Sequence, residues 1–256
     1  MPELGPEIYA RWRGSELGSL TERLERSLVL DLVGEVRDRS VLDLGCGDGD
    51  LAIALWRGGA RVTGLDASPD MIAAAVARAR REHADVVFET GSAAALPFPP
   101  GQFDVVVAVT ILCFVADAAP VFREIARVLR PGGRLVICEL GKWSLWAAER
   151  RVRAWLGSRL WQRGYFRTAG GLQRLCRQAG LLPQPVRGAI YYPRSTLAAR
   201  WLAPHDAAFS LLGSVGAAFL GLTAIKSPPP AKAAATRGVE RDHPPRGVPE
   251  TTQDIV

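Results

Sequence analysis

The chain has 256 residues, a formal net charge of +6 and 48% hydrophobic residues. This is enough apolar material for one α/β domain of about 200 residues plus appendages, and it leaves no room for a second catalytic domain. Four cysteines without a CxxC pair, and a charged N-terminus without an apolar h-region, predict a cytoplasmic protein with reduced thiols and argue against export.

The first two thirds of the chain alternate between helical and strand-like patterns. Residues 18–36 place leucine and valine at helical spacing, which predicts an amphipathic helix before the first strand. Strands buried on both faces are predicted at Ser40–Leu44, Arg61–Asp66, Asp85–Thr90, Phe103–Val109 and Arg134–Leu140. Helices are predicted between them at Leu51–Trp56, at Asp70–Arg81 with Ser68 or Asp70 as cap, and at Val121–Leu129, closed by Pro131-Gly132-Gly133. This alternation predicts an α/β fold with a doubly wound, mostly parallel sheet and right-handed crossovers.

The alternation of strand and helix patterns ends after Leu140. Residues 143–166 carry six aromatic residues among arginines, and a helix is predicted at Leu172–Ala179, so we interpret about 142–182 as a helical acceptor cap. Strands at Val186–Tyr192 and Gly216–Ile225, with a helix near Leu197–Leu212 between them, complete a seven-stranded sheet. We therefore expect one domain over residues 1–226 and, because the remainder is rich in proline and charge, a disordered tail over 227–256.

One uncharged segment is long enough to suggest a transmembrane helix. It covers the nineteen residues from Ala207 to Ile225. Glycines at positions 213, 216 and 221 interrupt it, and the sheet needs a closing strand here. We therefore predict the end of a helix followed by the last strand.

The sequence VLDLGCGDGD, residues 41–50, has the pattern of a strand that runs into a ligand-binding loop. Gly45, Gly47 and Gly49 follow the strand and lead into a helix, at the sheet edge where such folds bind ligands. The dinucleotide fingerprint would need a third glycine at position 50, which is Asp50. Asp66, at the end of the second strand, is placed to accept hydrogen bonds from both hydroxyls of an adenosine ribose. The loop therefore favours a nucleoside ligand over NAD.

Four motifs in this order resemble those of class I S-adenosylmethionine-dependent methyltransferases, of the small-molecule type found in quinone biosynthesis. They are VLDLGCGDG, VTGLDASPDM, GSAAALPFPPGQFDVVV and RVLRPGGRLVI. The resemblance runs from about Tyr9 to Ile137 and implies a Rossmann-like fold, S-adenosylmethionine as cofactor and transferase activity.

The resemblance also implies which residues hold the cofactor. Asp43 and the backbone of Gly45, Cys46, Gly47 and Gly49 would hold the methionine moiety, and Asp66 the ribose. Ala67 and Met71 would flank the adenine, Ser92 and Ala93 would line its edge, and Thr110 would lie under the sulfonium. The chain departs from the family at Ser92, because relatives commonly have an acid there that meets the adenine amino group. Asp43 has a second interpretation, as a cap of the helix that follows.

Methyl transfer from a sulfonium is an in-line displacement that a dry, aligned pocket can accelerate without a dedicated base. A phenol or alcohol acceptor must still lose a proton, and the candidate bases are Glu139, His205, Tyr191 and Tyr192. His205 is followed by Asp206, which would have to face the same way to assist it. The three histidines have no ligand spacing with the cysteines, so we expect no metal site.

The acceptor pocket is expected to involve residues 110–114 and the cap. Between Lys142 and Arg200 there are twelve basic residues and one acid, Glu149. These residues are consistent with a coding bias and a tryptophan core, or with a cap that covers a lipophilic or anionic acceptor and contacts the inner membrane face. We expect a small-molecule acceptor and no nucleic-acid partner, because residues 110–113 read Thr-Ile-Leu-Cys and not an NPPY-like tetrad. Alternatives are an RNA or protein methyltransferase, or a non-catalytic cofactor-binding protein of the same fold.

Overall fold

The computed structural model describes residues 11–162, 164–210 and 213–228. The predicted disordered tail lies outside these ranges from residue 229 onward. The helices are α1 (Glu16–Val33), α2 (Asp50–Arg57), α3 (Pro69–Arg81), α4 (Ala119–Val128), α5 (Leu145–Trp155), α6 (Arg159–Gln162), α7 (Ala169–Gln178), α8 (Thr196–Leu202) and α9 (Asp206–Phe209). The strands are β1 (Ser40–Leu44), β2 (Arg61–Asp66), β3 (Val87–Thr90), β4 (Phe103–Val109), β5 (Leu129–Leu140), β6 (Leu181–Pro183), β7 (Arg187–Ala189) and β8 (Phe219–Lys226).

All eight strands form one sheet, in the order β3-β2-β1-β4-β5-β8-β6, with β7 also paired to β8. The first five strands are parallel, and β8 runs antiparallel to β5. This confirms the doubly wound, mostly parallel fold. The predicted strand Val186–Tyr192 is shortened to β7, and β6, at the end of the predicted cap, adds an eighth strand to the seven that were predicted; β6 and β7 pair with opposite ends of β8.

Two apolar layers cover the two faces of the sheet. One face packs against α1 and α2 through residues such as Leu28, Leu32 and Leu55. The other packs against α4 and α7 through residues such as Phe122, Ile125 and Leu172. Because both faces are covered, the central strands have no polar face, which is the reason for their continuous apolar sequences.

Two predicted helix boundaries are corrected. Helix α4 ends at Val128, and Leu129 is already extended and paired with Phe103, so Pro131, Gly132 and Gly133 lie within β5 and do not close the helix. The predicted helix near Leu197–Leu212 is interrupted at Ala203–His205 by a 3-10 turn that contains Pro204. Proline lacks the N–H that a continuous helix would need at this point.

The uncharged segment Ala207–Ile225 contributes the end of α9 and most of β8. Within the described ranges no helix is long and apolar enough to cross a membrane. The prediction of a helix end followed by a closing strand is therefore confirmed.

Candidate active site

The glycine loop after β1 has the backbone that only glycine adopts readily. Gly45, Gly47 and Gly49 have φ values of 76°, 54° and 79°, in the left-handed region. The amides of Gly45 and Cys46 both donate to the carbonyl of Leu65, at 2.7 and 3.1 Å. A Cβ atom on Gly47 would meet nothing within 4 Å. The loop is thus fixed against β2 while Gly47 leaves open space in front of the main chain.

The two aspartates of the loop serve as anchors. Asp48 pairs with Arg13 at 2.9 Å and with Arg78, and Asp50 pairs with Arg78 at 3.3 Å and with Arg26. These arginines come from α3, α1 and the segment before α1, so the loop is held from three sides. Three nearby guanidinium groups favour the ionised form and lower the pKa of Asp50, against the effect of its burial. Sequence patterns did not identify this arginine clamp.

Asp66, at the end of β2, lies beside the loop as predicted. Its Oδ2 accepts from the amide of Gly47 at 3.0 Å, and its Oδ1 accepts from the amide of Ser68 at 2.9 Å. Each carboxylate oxygen has a second lone pair available for another donor. Asp66 therefore links the glycine loop to the start of α3, where Ser68, not Asp70, is the N-cap.

The residues predicted to line the adenine follow two neighbouring strands. Ala67 follows β2 and Met71 lies in the first turn of α3, while Ser92 and Ala93 follow β3. The amide of Gly91 donates to the carbonyl of Asp66 at 2.9 Å, which brings these two segments together. The Ser92 side chain is exposed and accepts from the Ala94 amide at 3.3 Å.

Asp43 is a buried carboxylate with one unpartnered oxygen. It is 2% exposed, and its Oδ2 has no hydrogen-bond partner in the described part of the chain. Burial, followed by the charge of Asp66, raises the pKa of Asp43 to about 7, and a hydrogen bond from the Ala52 amide opposes that rise. Asp43 thus supports the start of α2, as its second interpretation proposed, and retains an oxygen that a positively charged ligand group would satisfy.

The loop after β4 lies over the glycine loop. A Cβ on Gly45 would lie 2.2 Å from Cγ2 of Ile111, so the two loops are in direct contact. Thr110, just before Ile111, has a φ of 53°, which is unfavourable for a β-branched residue. Its amide donates to the carbonyl of Cys138 at 2.8 Å, and the Cys113 thiol lies 2.9 Å from the Thr110 carbonyl oxygen.

Glu139 positions this loop. The side chain is fully buried, and its Oε1 accepts from the Leu112 amide at 2.7 Å. Arg167 donates to the Val115 carbonyl at 2.6 Å and to the Leu112 carbonyl at 3.2 Å. Oε1 of Glu139 thus holds this loop, whereas its Oε2 is buried without a hydrogen-bond partner in the described part of the chain, and a role for Glu139 as base stays a prediction.

Glu139 is expected to make stability depend on pH. Burial raises its pKa from 4.5 to about 8, against hydrogen bonds from backbone amides. Between these values the folded chain keeps a proton that the unfolded chain releases, so the free energy of unfolding falls as the pH rises. Glu139→Gln keeps the acceptor oxygen and cannot ionise. Denaturant unfolding of both proteins is measured across this pH range. The wild type is expected to lose stability relative to the variant as the pH rises, and a constant difference in the free energy of unfolding would contradict this expectation.

The other candidate bases are directed elsewhere. His205 is exposed, whereas Asp206 is buried and accepts from the amides of Ile190 and Tyr191 at 2.9 and 3.1 Å. The two residues therefore do not act as a pair. The Tyr191 hydroxyl donates to the carbonyl of Gly213, and the hydroxyl of the buried Tyr192 contacts Thr21 Oγ1 at 3.1 Å.

The cap is tied to the loop after β4. The Tyr165 amide donates to the Cys113 carbonyl at 2.9 Å, and the Lys142 amide donates to the Arg167 carbonyl at 2.8 Å. The cations and rings of the cap, together with Arg194, form one contiguous series of cation–π and ring contacts. The series is Arg194, Trp146, Arg150, Trp161, Phe166, Arg151, Trp143 and Lys142, with centroid distances between 4.7 and 6.2 Å. Several arginines of the cap are therefore packed on aromatic rings.

Known proteins match this chain in sequence and in fold. Residues 42–137 match the family described as Methyltransferase domain. The chain is similar to a ubiquinone biosynthesis O-methyltransferase of Methylobacterium sp. (strain 4-46), with 32% identity over 68% of this chain and 70% of the relative. It is also similar to a demethylmenaquinone methyltransferase of Thermus thermophilus, with 41% identity over 44% of this chain and 53% of the relative. A solved S-adenosylmethionine-dependent methyltransferase from Thermotoga maritima has the same fold, with a TM-score of 0.66 and 21% identity over 86% of this chain and 95% of that chain.

Proposed function

The chain belongs to the S-adenosylmethionine-dependent methyltransferases, and on this basis we propose that it methylates a small, lipophilic, hydroxyl-bearing aromatic acceptor. The observation that carries the proposal is the contact between Gly45 and Ile111, because it joins the cofactor loop to a loop that the cap covers. By their names, one relative is an O-methyltransferase of ubiquinone biosynthesis and the other is a methyltransferase of demethylmenaquinone, and a quinone precursor has the chemistry just described.

The residues of this chain fit the cofactor. The open space at Gly47, the free lone pairs of Asp66 and the unpartnered oxygen of Asp43 supply the room, the ribose acceptors and the negative charge that a sulfonium amino acid nucleoside needs. We assign the adenine side to Ala67, Met71, Ser92 and Ala93, and the reacting side to Thr110. When bound, S-adenosylmethionine supplies an electrophilic methyl group. The chain's part is to align the acceptor and to exclude water, which would oppose the dispersal of charge.

Transfer of a labelled methyl group tests the proposal. Purified protein with labelled S-adenosylmethionine is incubated with separate pools of quinols, simple phenols, lipids, RNA and protein. Label is expected in the organic phase of the quinol or phenol pool. Label in RNA or protein would support the alternative acceptor classes, and binding of the cofactor without transfer to any pool would support a non-catalytic protein.

We also propose that the cap contacts an anionic membrane surface from which such an acceptor would be taken. Trp143, Trp155 and Trp201 are 64%, 85% and 74% exposed, and they lie in or beside the basic segment. Glu149 of α5, the helix that ends at Trp155, forms an ion pair at 3.3 Å with Arg194, which lies just before α8, the helix that carries Trp201. Exposed tryptophan suits headgroup depth, and nearby arginine contributes about 1 kcal/mol per residue on an anionic bilayer.

Flotation with vesicles tests the membrane contact. Binding is expected with anionic vesicles at low salt, and weaker binding with neutral vesicles or at high salt, because screening reduces the attraction. The double variant Trp155→Ser, Trp201→Ser is expected to lose binding. Val87→Ser, which removes another exposed apolar side chain from the far edge strand β3, is the control. Equal flotation of all three proteins under all conditions would contradict the proposal.

A further inference from the structure

Two half-buried side chains of opposite charge near the loop after β4 form no hydrogen bond or ion pair in the described part of the chain. They are Glu25 of α1 and Arg150 of α5. Neither is found in a hydrogen bond or ion pair, although most other arginines near the site are paired. Both side chains are half-buried, and their charged atoms are not among the buried, unpartnered atoms of the described residues, so both charges remain open to a ligand.

The position of Arg150 is fixed by aromatic rings. Its Cζ lies 4.7 Å from the ring centroid of Trp161 and 5.3 Å from that of Trp146. Trp161 stacks on Phe166 with ring centroids 6.2 Å apart. The amide of the neighbouring Tyr165 donates at 2.9 Å to the carbonyl of Cys113, whose thiol contacts the Thr110 carbonyl oxygen. Burial lowers the pKa of Arg150 to about 10, and the charge of Glu25 opposes this. Arg150 therefore lies beside the loop that we assign to the reacting side.

Glu25 lies on the face of α1 that is turned toward the sheet. Thr21, one turn earlier, contacts the Tyr192 hydroxyl at 3.1 Å, and Leu28, three residues later, packs over Gly221 of β8. Residues at these spacings share one face of a helix. Trp146 is joined to the same place, because its Nε1 donates to the Tyr192 carbonyl at 2.7 Å. Glu25 and Arg150 thus approach each other from α1 and α5, with Trp146 and Tyr192 beside them.

We propose that Glu25 accepts the proton of the acceptor hydroxyl and that Arg150 pairs with the resulting oxyanion, so that the two residues form the polar end of a pocket for a phenolic acceptor. This inference rests on the proposed function. The hydroxyl proton passes to a Glu25 carboxylate oxygen, the acceptor oxygen forms the bond to the methyl carbon, and the electron pair of the broken carbon–sulfur bond remains on sulfur. The rings of Trp146 and Trp161 pack against the guanidinium.

The surroundings of Glu25 suit it to this task near neutral pH. Burial raises its pKa to about 7, the charge of Arg150 lowers it, and Glu22 on the same helix raises it. The titratable groups on the other elements are the Cys138 thiol of β5 and the Tyr192 hydroxyl after β7; burial raises the pKa of both, and the charge of Glu25 adds to that rise. A base with a pKa near the working pH combines a populated ionised form with useful basicity.

Glu25→Gln tests the inference through rate. With a phenolic acceptor, kcat/KM of the wild type is expected to rise with pH through about 7, the pKa given by the surroundings of Glu25. The variant is expected to lose this pH dependence and about 100- to 10,000-fold in rate, the range for a general base. Asp31→Asn removes an exposed carboxylate of the same helix and is expected to behave as the wild type. A Glu25→Gln protein with the wild-type rate and pH profile would overturn the inference.

Binding without turnover gives a second, independent measurement. In the presence of S-adenosylhomocysteine, the probe 4-nitrophenol is expected to bind as the phenolate at a pH where the free probe is mainly the neutral phenol. Its absorption spectrum reports the form. Arg150→Met is expected to abolish the phenolate spectrum and Arg150→Lys to retain part of it. Absence of the phenolate in the wild type would overturn the inference even where methyl transfer itself stands, and a phenolate in the wild type without any transfer would count against the proposed function alone.

Discussion

Gly47→Val is expected to abolish detectable binding of S-adenosylhomocysteine. The wild-type chain has nothing within 4 Å of a Cβ at this position, so the branched side chain would fit the protein and fill the space assigned to the ligand. Because the φ of Gly47 is 54°, the substitution also strains the backbone by about 1–2 kcal/mol or more. Titration calorimetry measures the binding.

Gly132→Val separates the filling of the ligand space from the backbone strain. Gly132 has a φ of 75° and likewise nothing within 4 Å of its Cβ position, but it lies at the start of β5, at the opposite edge of the sheet from the glycine loop. Both variants are expected to lose similar amounts of stability, and only Gly47→Val is expected to lose the ligand. Loss of binding in both variants would mean that backbone strain causes the loss. Full binding by Gly47→Val would mean that the glycine loop is not part of the ligand-binding site.

Asp66→Ala is expected to weaken S-adenosylhomocysteine binding by about 1.5–3 kcal/mol, or about 10- to 150-fold, because two ribose hydroxyls would lose charge-assisted hydrogen bonds. The variant also removes the acceptor of the Gly47 and Ser68 amides, so part of the loss comes from a less ordered loop. Asp70→Ala, which removes an exposed carboxylate nearby, is the control. Equal affinities for both variants in the same titration would argue against a ribose role for Asp66.

Patterns within single segments were sufficient to predict the central fold. The strands β1, β2 and β4 have the predicted bounds because burial on both faces selects continuous apolar runs. Ser68 was one of two predicted caps, and it is the one whose side chain accepts from the Met71 amide. The antiparallel edge of the sheet was harder to predict from the sequence, because β6 has only three residues and ends in Pro183, which is not typical of a strand.

The side-chain organisation of the site depends on contacts between distant segments. The clamp on Asp48 and Asp50 brings together residues that lie far apart in the chain, and no local pattern distinguishes Arg13 or Arg78 from other surface arginines. The same holds for Glu25, whose spacing on α1 resembles that of a solvated helix position. Only the contacts of Tyr192 with Thr21 of α1 and with Trp146 of the cap bring it near Arg150. Glu139 was identified from the sequence as a titratable group near the site, but its direction toward the Leu112 amide required the register of β5.

Titration of the wild-type protein with S-adenosylhomocysteine and, separately, with NAD tests the central claim most directly. Asp50 stands in place of a third glycine, and Asp66 is assigned to the ribose, so we expect a nucleoside site without an essential pyrophosphate. We expect the wild type to bind one S-adenosylhomocysteine per chain and to give no heat of binding with NAD. Gly132→Val is expected to bind S-adenosylhomocysteine as well, and Gly47→Val is expected not to bind it. Binding of NAD by a protein that ignores S-adenosylhomocysteine would contradict the assignment of the glycine loop and the function built on it.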